Sequence, residues 1–113
     1  MEVPGGHENK LWVLLYEMMG TALLLLAINN SANGDGTTPF AASIGLFGII
    51  MLIGPVSGGH VNPAVSTAVF VREKKCSNIV YFALIIVAQL LGAGIGVAIM
   101  LGQAGKLGDP DTV

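Results

Sequence analysis

Polar residues interrupt the long apolar runs of this chain at two places where chemistry is conceivable. Glu17 lies inside the first apolar run, and the segment Gly58–Val65, GGHVNPAV, separates two later ones. An ionisable residue inside a membrane-like span marks a candidate functional site. Irregular polar backbone is tolerated at membrane depth only where protein shields it or where it lines a cavity. The segment is therefore either a loop outside a membrane or part of a pore.

Several other kinds of chemistry are excluded by what surrounds these residues. His60 has no neighbouring His, Cys or carboxylate to complete a metal site, and the single cysteine, Cys76, leaves no disulfide and no cysteine pair for a metal. Ser57, Ser66 and His60 supply no base–orienter chain, and the sequence shows neither paired carboxylates nor a phosphate-binding loop. We therefore expect no enzymatic activity, no metal and no cofactor.

Composition indicates a membrane protein. Of the 113 residues, 53% are apolar and only 11% are charged, whereas a soluble domain carries roughly 25% charged residues. The formal net charge of -2 and the absence of a long basic cluster argue against a nucleic-acid partner. The expected surroundings are those of a lipid bilayer.

Three apolar runs are long enough to cross that bilayer, since about 20 helical residues span its hydrocarbon core. They cover about residues 11–28, 40–56 and 79–101. A fourth apolar segment, residues 63–71, would form roughly 14 Å of helix, about half of the core. The sequence predicts an integral, multi-pass, all-α membrane protein, with residues 1–113 forming a single unit.

The positive charges set the expected orientation of these segments. Lys10 precedes the first run and the basic turn Arg72–Lys75 precedes the third. The positive-inside rule then puts the N-terminus and this turn on the cytoplasmic, or equivalent, side. The second run arrives at that side and the third leaves from it, so residues 63–71 must begin and end on one face. A surface-lying helix needs a basic polar face, and this segment has no charge. We therefore expect a re-entrant half-helix.

The start of the half-helix carries a local signal. Pro63 suits the first helical position, where its missing N–H costs nothing, and Asn62 is a preferred N-cap. The preceding glycines, Gly58 and Gly59, let the backbone run extended and close to its neighbours. A helix cannot satisfy the carbonyl groups of such a segment, so these groups need water or a permeating molecule.

These motifs together resemble those of a known family. SGGHVNPAV, residues 57–65, looks like the first pore loop of the aquaporin and glycerol-channel family, whose signature is Asn-Pro-Ala. Two further family patterns are present, Glu-x-x-Gly-Thr in the first helix and Ala-Gln-x-x-Gly-Ala in the third. The residues that match these two patterns are Glu17, Gly20, Thr21, Ala88, Gln89, Gly92 and Ala93. The resemblance runs from about residue 11 to residue 101 and concerns the N-terminal half of the family's fold.

The resemblance implies a role for each residue of the loop. Asn62 would point its amide N–H towards the oxygen of a permeating molecule, and Pro63 and Ala64 would pack against a matching half-helix. Glu17 would accept hydrogen bonds from the dipping loop, and Gln89 would support the same loop. The carbonyl groups leading to this point would be those of Gly58, Gly59, His60 and Val61.

The width of the pore is expected to depend on a residue of the second span. Counting roughly twenty positions back from Asn62 reaches Ala42, whereas matching the glycine pattern gives Ile44. Neither side chain is aromatic, which hints at a wider opening than that of a strict water filter.

Small residues indicate where helices pack closely. Ala88, Gly92 and Gly96 recur at four-residue spacing, which is typical of helix contacts in membranes. Gly20, in the first-helix pattern, is expected to have the same role.

Members of that family contain two inverted repeats, with a second Asn-Pro-Ala half-helix and a nearby arginine, whereas this sequence has one motif. We expect a channel polypeptide for water or small neutral solutes that needs a second half as its partner. Two copies of this chain would have to lie in opposite orientations, which the Lys and Arg distribution disfavours. The alternative is a non-conducting structural subunit bound to other subunits of a larger membrane complex.

Overall fold

A computed structural model describes residues 9–30 and 38–107 of the chain. Within these ranges the chain is helical and contains no β-strand. Three helices, all except the third, are long and apolar enough to cross a membrane. The predicted all-α membrane fold is thus confirmed. The helices are α1 (Lys10–Asn30), α2 (Thr38–Ser57), α3 (Pro63–Glu73) and α4 (Ile79–Leu107), with a short 3-10 turn at Cys76–Asn78.

The helices extend beyond the apolar runs from which they were predicted. Helix α2 starts two positions before residue 40 because Pro39, in its first turn, suits a helix start. Helix α4 continues past residue 101 to Leu107, since residues 102–107 contain no proline and several good helix formers. Hydropathy marks the part of a helix that lipid can cover, and the helix itself ends later.

Helices α1 and α4 run parallel to each other. The ammonium group of Lys10 lies 5.2 Å from the centre of the Tyr81 ring, near the start of both helices. Seven residues further along α1, Glu17 is hydrogen-bonded to Gln89 of α4. Both helices therefore begin at the same end of the bundle.

Helix α2 runs antiparallel to α1. A Cβ atom added to Gly45 would lie 3.0 Å from Cβ of Ala27, near the end of α1. A Cβ atom added to Gly20 would collide with Ile53, which lies near the end of α2. Gly20 therefore lies at the contact with α2 rather than with α4, and α2 ends where α1 and α4 begin.

Beyond Gln89, small residues of α4 bring its backbone close to α1. A Cβ atom at Gly92 would collide with the carbonyl oxygen of Met18. A Cβ atom at Gly96 would lie 2.7 Å from the carbonyl oxygen of Ala22, and Ala88 is buried one turn before Gly92. Small residues at this spacing let the two backbones touch.

Helix α3 packs antiparallel against the first half of α4. Ser66 is hydrogen-bonded to Gln89, and the rings of Phe70 and Phe82 are stacked with their centres 4.5 Å apart. Gln89 lies roughly 15 Å along α4 from Ile79 at 1.5 Å per residue, about half of a hydrocarbon core. Helix α3 therefore begins level with the middle of the long helices and ends where α4 begins.

The bundle differs from a soluble domain in its apolar exterior and in the polar side chains within its core. Its largest fully buried side chains include the polar residues Glu17, Ser66 and Gln89. Large apolar side chains point outwards instead, for example Phe40 and Phe47 of α2. The interior thus combines buried hydrogen bonds with apolar clusters such as Ile49, Ile53 and Val61, and the exterior suits lipid or another membrane polypeptide.

Candidate functional site

Residues 58–61, called here the glycine loop, join α2 to α3 through left-handed backbone. The φ angles are +89° at Gly58, +65° at Gly59 and +43° at Val61. Glycine adopts such angles at little steric cost. The two glycines are therefore required for a left-handed turn, and not for the extended backbone expected from the sequence. Gly59 also packs on α2, since a Cβ atom there would lie 3.4 Å from Cα of Gly54.

Val61 is the strained residue of the glycine loop. A β-branched residue in the left-handed region is an outlier that surrounding contacts must hold in place. Its N–H donates to Oε2 of Glu17 at 2.6 Å. Its side chain is only 3% exposed and packs with Ile49 and Ile53 of α2. One hydrogen bond and one apolar pocket thus fix this conformation.

All four N–H groups of the glycine loop donate hydrogen bonds towards the interior. The first two reach the end of α2, at the carbonyl oxygen of Gly54 (2.9 Å) and at Oγ of Ser57 (3.1 Å). The last two reach the carboxylate of Glu17, at 2.9 Å to Oε1 and 2.6 Å to Oε2. The carbonyl oxygens of the loop accept no hydrogen bond from the part of the chain that the structure describes. The N–H groups of the loop are thus all satisfied within the protein, whereas its carbonyl groups have no partner among the described residues.

Glu17 is the centre of this arrangement and is 0% exposed. Besides the two loop N–H groups, Oγ of Ser57 donates to its Oε1 at 2.7 Å and Nε2 of Gln89 donates to its Oε2 at 2.9 Å. All four partners are donors, so the set suits an ionised carboxylate, which is an acceptor only. Hydrogen bonds to a charged group are stronger than neutral ones and offset the cost of burying it.

Gln89 links the carboxylate to α3. Its Nε2 atom also donates to Oγ of Ser66 at 2.9 Å, and that oxygen lies 3.1 Å from Nδ1 of His60. Ser66 and Gln89 are fully buried, so the Ser66 hydroxyl is closed to a substrate although it is paired with a histidine. No three His, Cys, Asp or Glu side chains lie together among residues 9–30 and 38–107, as a metal site would require.

Asn62 caps the N-terminus of α3. Its Oδ1 atom accepts a hydrogen bond from the N–H of Ala64 at 2.8 Å, and Pro63 occupies the first helical position. The side chain of Asn62 is exposed, and its Nδ2 atom donates to no described residue. Two amide hydrogens therefore lie free at the positive end of a helix dipole.

The two candidates for a pore constriction lie apart from the glycine loop. Ala42 is half-buried on α2, and Ile44 is 56% exposed. The loop meets α2 at Ile50, which contacts Gly59. Ile44 and Ala42 lie roughly 9 and 12 Å further along the helix at 1.5 Å per residue. The structure does not bring them together with the loop.

Sequence reasoning missed Ser57 and Ser66 as parts of the site. Both were considered only as possible nucleophiles. Ser57 is the first residue of the pore-loop motif but was given no role there, and Ser66 follows directly after that motif. Ser57 follows directly after Val56 at the end of α2, and Ser66 lies one turn after Asn62. That spacing puts Ser66 on the N-cap side of α3, a signal that could have pointed to a hydrogen bond with the loop.

Comparisons with known proteins identify the family. The family model of the major intrinsic proteins matches residues 9–109. Aquaporin PIP2-7 of Musa acuminata is 31% identical to this chain over 84% of the chain and 39% of its own length. Aquaporin-5 of Sus scrofa is 38% identical over 58% of this chain and 23% of its own length. The aquaglyceroporin of Toxoplasma gondii is 32% identical over 65% of this chain and 27% of its own length.

The chain spans from about a quarter to two-fifths of the length of these relatives. No solved structure matches it significantly. The family match covers most of the sequence, including α1, the glycine loop and α4. This chain, an integral multi-pass membrane protein, therefore belongs to the major intrinsic protein family.

Proposed function

We propose that the chain forms half of a pore for water or small neutral solutes and needs a second aquaporin-like half to conduct. One observation carries this proposal, the one-sided hydrogen bonding of the glycine loop. Its N–H groups are all bound inside the protein, whereas its carbonyl oxygens accept no hydrogen bond from the described residues. Backbone acceptors at membrane depth need a polar partner, and water or a hydroxyl-bearing solute is such a partner.

The position of α3 supports a path that reaches the middle of the membrane. The helix begins level with Gln89, roughly 15 Å from the start of α4. In the proposed pore, α3 is re-entrant and its N-terminus lies near the bilayer midplane. The positive end of its dipole disfavours cations and protons there. Asn62 donates its free amide hydrogens to the oxygen of the permeating molecule.

The surface around the N-terminus of α3 supports the requirement for a second half. Asn62 and Ala64 are exposed and Pro63 is half-buried, so one wall of the path is open. In the proposed assembly a second aquaporin-like half covers this surface. The start of α1 and the basic turn Arg72–Lys75 lie at one end of the bundle, which we place on the cytoplasmic, or equivalent, side. This orientation disfavours an inverted second copy of the same chain.

The proposed solutes include molecules wider than water. Ala42 and Ile44, the two candidates for the constriction, are not aromatic and leave more room than an aromatic ring would. Relatives are named both as aquaporins and as an aquaglyceroporin, so both solute classes belong in the test.

Stopped-flow swelling of proteoliposomes tests the proposal, with the chain alone and with the chain co-reconstituted with the C-terminal half of an aquaporin. We expect swelling well above that of empty vesicles only when both halves are present. The matched variant is Asn62→Asp, since Asp is an equally good N-cap and preserves α3 while removing the two amide donors. This variant should abolish the gain in swelling.

Two outcomes would overturn parts of the proposal. Fast swelling with the chain alone would contradict the need for a second half. A second half that binds the chain without any gain in swelling would contradict the pore itself and favour a non-conducting structural subunit.

A further inference from the structure

The carboxylate of Glu17 determines which groups donate and which accept in the hydrogen bonds around Ser66. The carboxylate of Glu17 is an acceptor, so the amide group that faces it at 2.9 Å must be the NH₂ of Gln89 and not its carbonyl oxygen. The same nitrogen lies 2.9 Å from Oγ of Ser66. Because Nε2 is a donor only, Ser66 must accept this hydrogen bond.

The hydrogen of the Ser66 hydroxyl is then left to donate. A hydroxyl has one hydrogen and two lone pairs, and one lone pair is engaged by Gln89. The remaining partner of Oγ among the described residues is Nδ1 of His60, at 3.1 Å. Nδ1 accepts the hydroxyl hydrogen when it carries none of its own. A neutral imidazole without a hydrogen on Nδ1 carries it on Nε2.

The Nε2 atom of His60 lies at the open edge of the glycine loop. A Cβ atom added to Gly58 would be 3.5 Å from it, and Gly58 is exposed. No described residue makes a hydrogen bond to Nε2. Because residue 58 has no side chain, that residue leaves the nitrogen uncovered, and Nε2 is not among the buried polar atoms without a partner.

We propose that Ser66 is a positioning residue that holds His60 in its neutral Nε2–H form, so that the ring offers an N–H donor to the oxygen of water or a small alcohol. This inference rests on the proposed function, in which the glycine loop lines the solute path. It adds a donor to a path that otherwise presents carbonyl acceptors until Asn62. The hydrogen bonds from Glu17 through Gln89 and Ser66 to His60 thus determine which nitrogen of the imidazole carries the hydrogen.

Nitrogen-15 NMR of the full chain in lipid bilayers tests the inference, in mildly alkaline buffer in which an ordinary imidazole is neutral. A His7→Gln background leaves His60 as the single labelled histidine. We expect a bare Nδ1, a protonated Nε2 and a cross-peak between the Nε2 hydrogen and water. A histidine that carries its hydrogen on Nδ1 would overturn the inference, and an Nε2–H without contact to water would overturn the donor role.

Variants at Ser66 separate positioning from general support. Ser66→Ala should shift the tautomer ratio towards Nδ1–H by roughly two- to tenfold, the amount that one net hydrogen bond supplies. Ser66→Thr keeps a hydroxyl and should restore the original ratio, while Ser43→Ala, at an exposed serine of α2, should leave it unchanged. An unchanged ratio in Ser66→Ala would contradict the role of Ser66.

The NMR signals are independent of conduction, so this inference and the proposed function fail separately. A wild-type Nε2–H in contact with water, combined with no swelling when both halves are present, would refute the pore and retain the inference. Fast swelling combined with Nδ1–H would do the reverse.

Discussion

Gln89 donates to Glu17 at 2.9 Å across 72 positions of the sequence, and this hydrogen bond joins the middle of α4 to the middle of α1. The same carboxylate holds the last two N–H groups of the glycine loop. Helix spacing and loop conformation are therefore not independent in this bundle. A change that separates α1 from α4 also removes the support of the loop.

Glu17→Gln tests the centre of this arrangement. The substitution preserves size but turns one acceptor oxygen into an NH₂ group that faces donors. We expect the free energy of unfolding to fall by about 3 kcal/mol, since each buried donor left without an acceptor costs about 1–3 kcal/mol. Denaturant titration in detergent, followed by the loss of helical circular dichroism, measures the change.

Glu73→Gln is the control for Glu17→Gln. It makes the same chemical change at the end of α3, on a carboxylate that accepts no hydrogen bond from the glycine loop, and we expect a smaller loss than in Glu17→Gln. Equal losses in the two variants would contradict the central role of Glu17.

Ser57→Ala tests the link between the end of α2 and the carboxylate. The hydroxyl donates to Glu17 at 2.7 Å and accepts from the N–H of Gly59 at 3.1 Å. Removing it should cost about 2 kcal/mol, because a loop N–H loses its partner. Ser43→Ala on the same helix removes an exposed hydroxyl that bonds only the carbonyl oxygen of Pro39. It should stay within about 0.5 kcal/mol, and thermal unfolding of both variants in one detergent gives the comparison.

Gly92→Ala tests the contact between α1 and α4. The added methyl group would meet the carbonyl oxygen of Met18, which cannot move without shifting α1. Overpacking of this kind costs about 1–3 kcal/mol, and we expect weaker support of the glycine loop as well. Gly94→Ala, two positions away, places its methyl group in open space.

Gly94→Ala should leave the free energy of unfolding unchanged or raise it by up to about 1 kcal/mol, since Ala is the better helix former. We therefore expect Gly92→Ala to lower the free energy of unfolding and Gly94→Ala not to lower it. Equilibrium unfolding of the two variants measures the difference, and a loss of equal size in both would show that α4 does not depend on backbone contact at Gly92.

The helices could be predicted from the sequence because each depends on local composition. Apolar length gave three spanning segments, and Asn62 followed by Pro63 marked the start of α3 at the position the structure shows. The ends were less accurate, because a helix such as α4 continues beyond its apolar part to Leu107.

The hydrogen-bond network could not be predicted in the same way, because it depends on which groups the four helices and the glycine loop bring together. No sequence pattern links Ser57 to Glu17, 40 positions away, or Ser66 to Gln89, 23 positions away. The left-handed conformation of Val61 was missed too, since its residue type argues against that conformation. Tertiary contacts overrule the local preference at this residue.

A pair of substitutions at Val61 measures the strain that tertiary contacts impose on the backbone of this residue. Val61→Ala and Val61→Gly both remove the buried side chain, but only glycine accepts a φ of +43° at little steric cost. We expect Val61→Gly to be the more stable of the two by about 1 kcal/mol, the left-handed penalty for a residue with a Cβ atom. At Val65, which is exposed inside α3, the order should reverse, because Ala exceeds Gly in a helix by about 1 kcal/mol. Denaturant titration of the four variants gives both differences, and the same order at the two positions would mean that Val61 is not strained in the membrane-embedded protein.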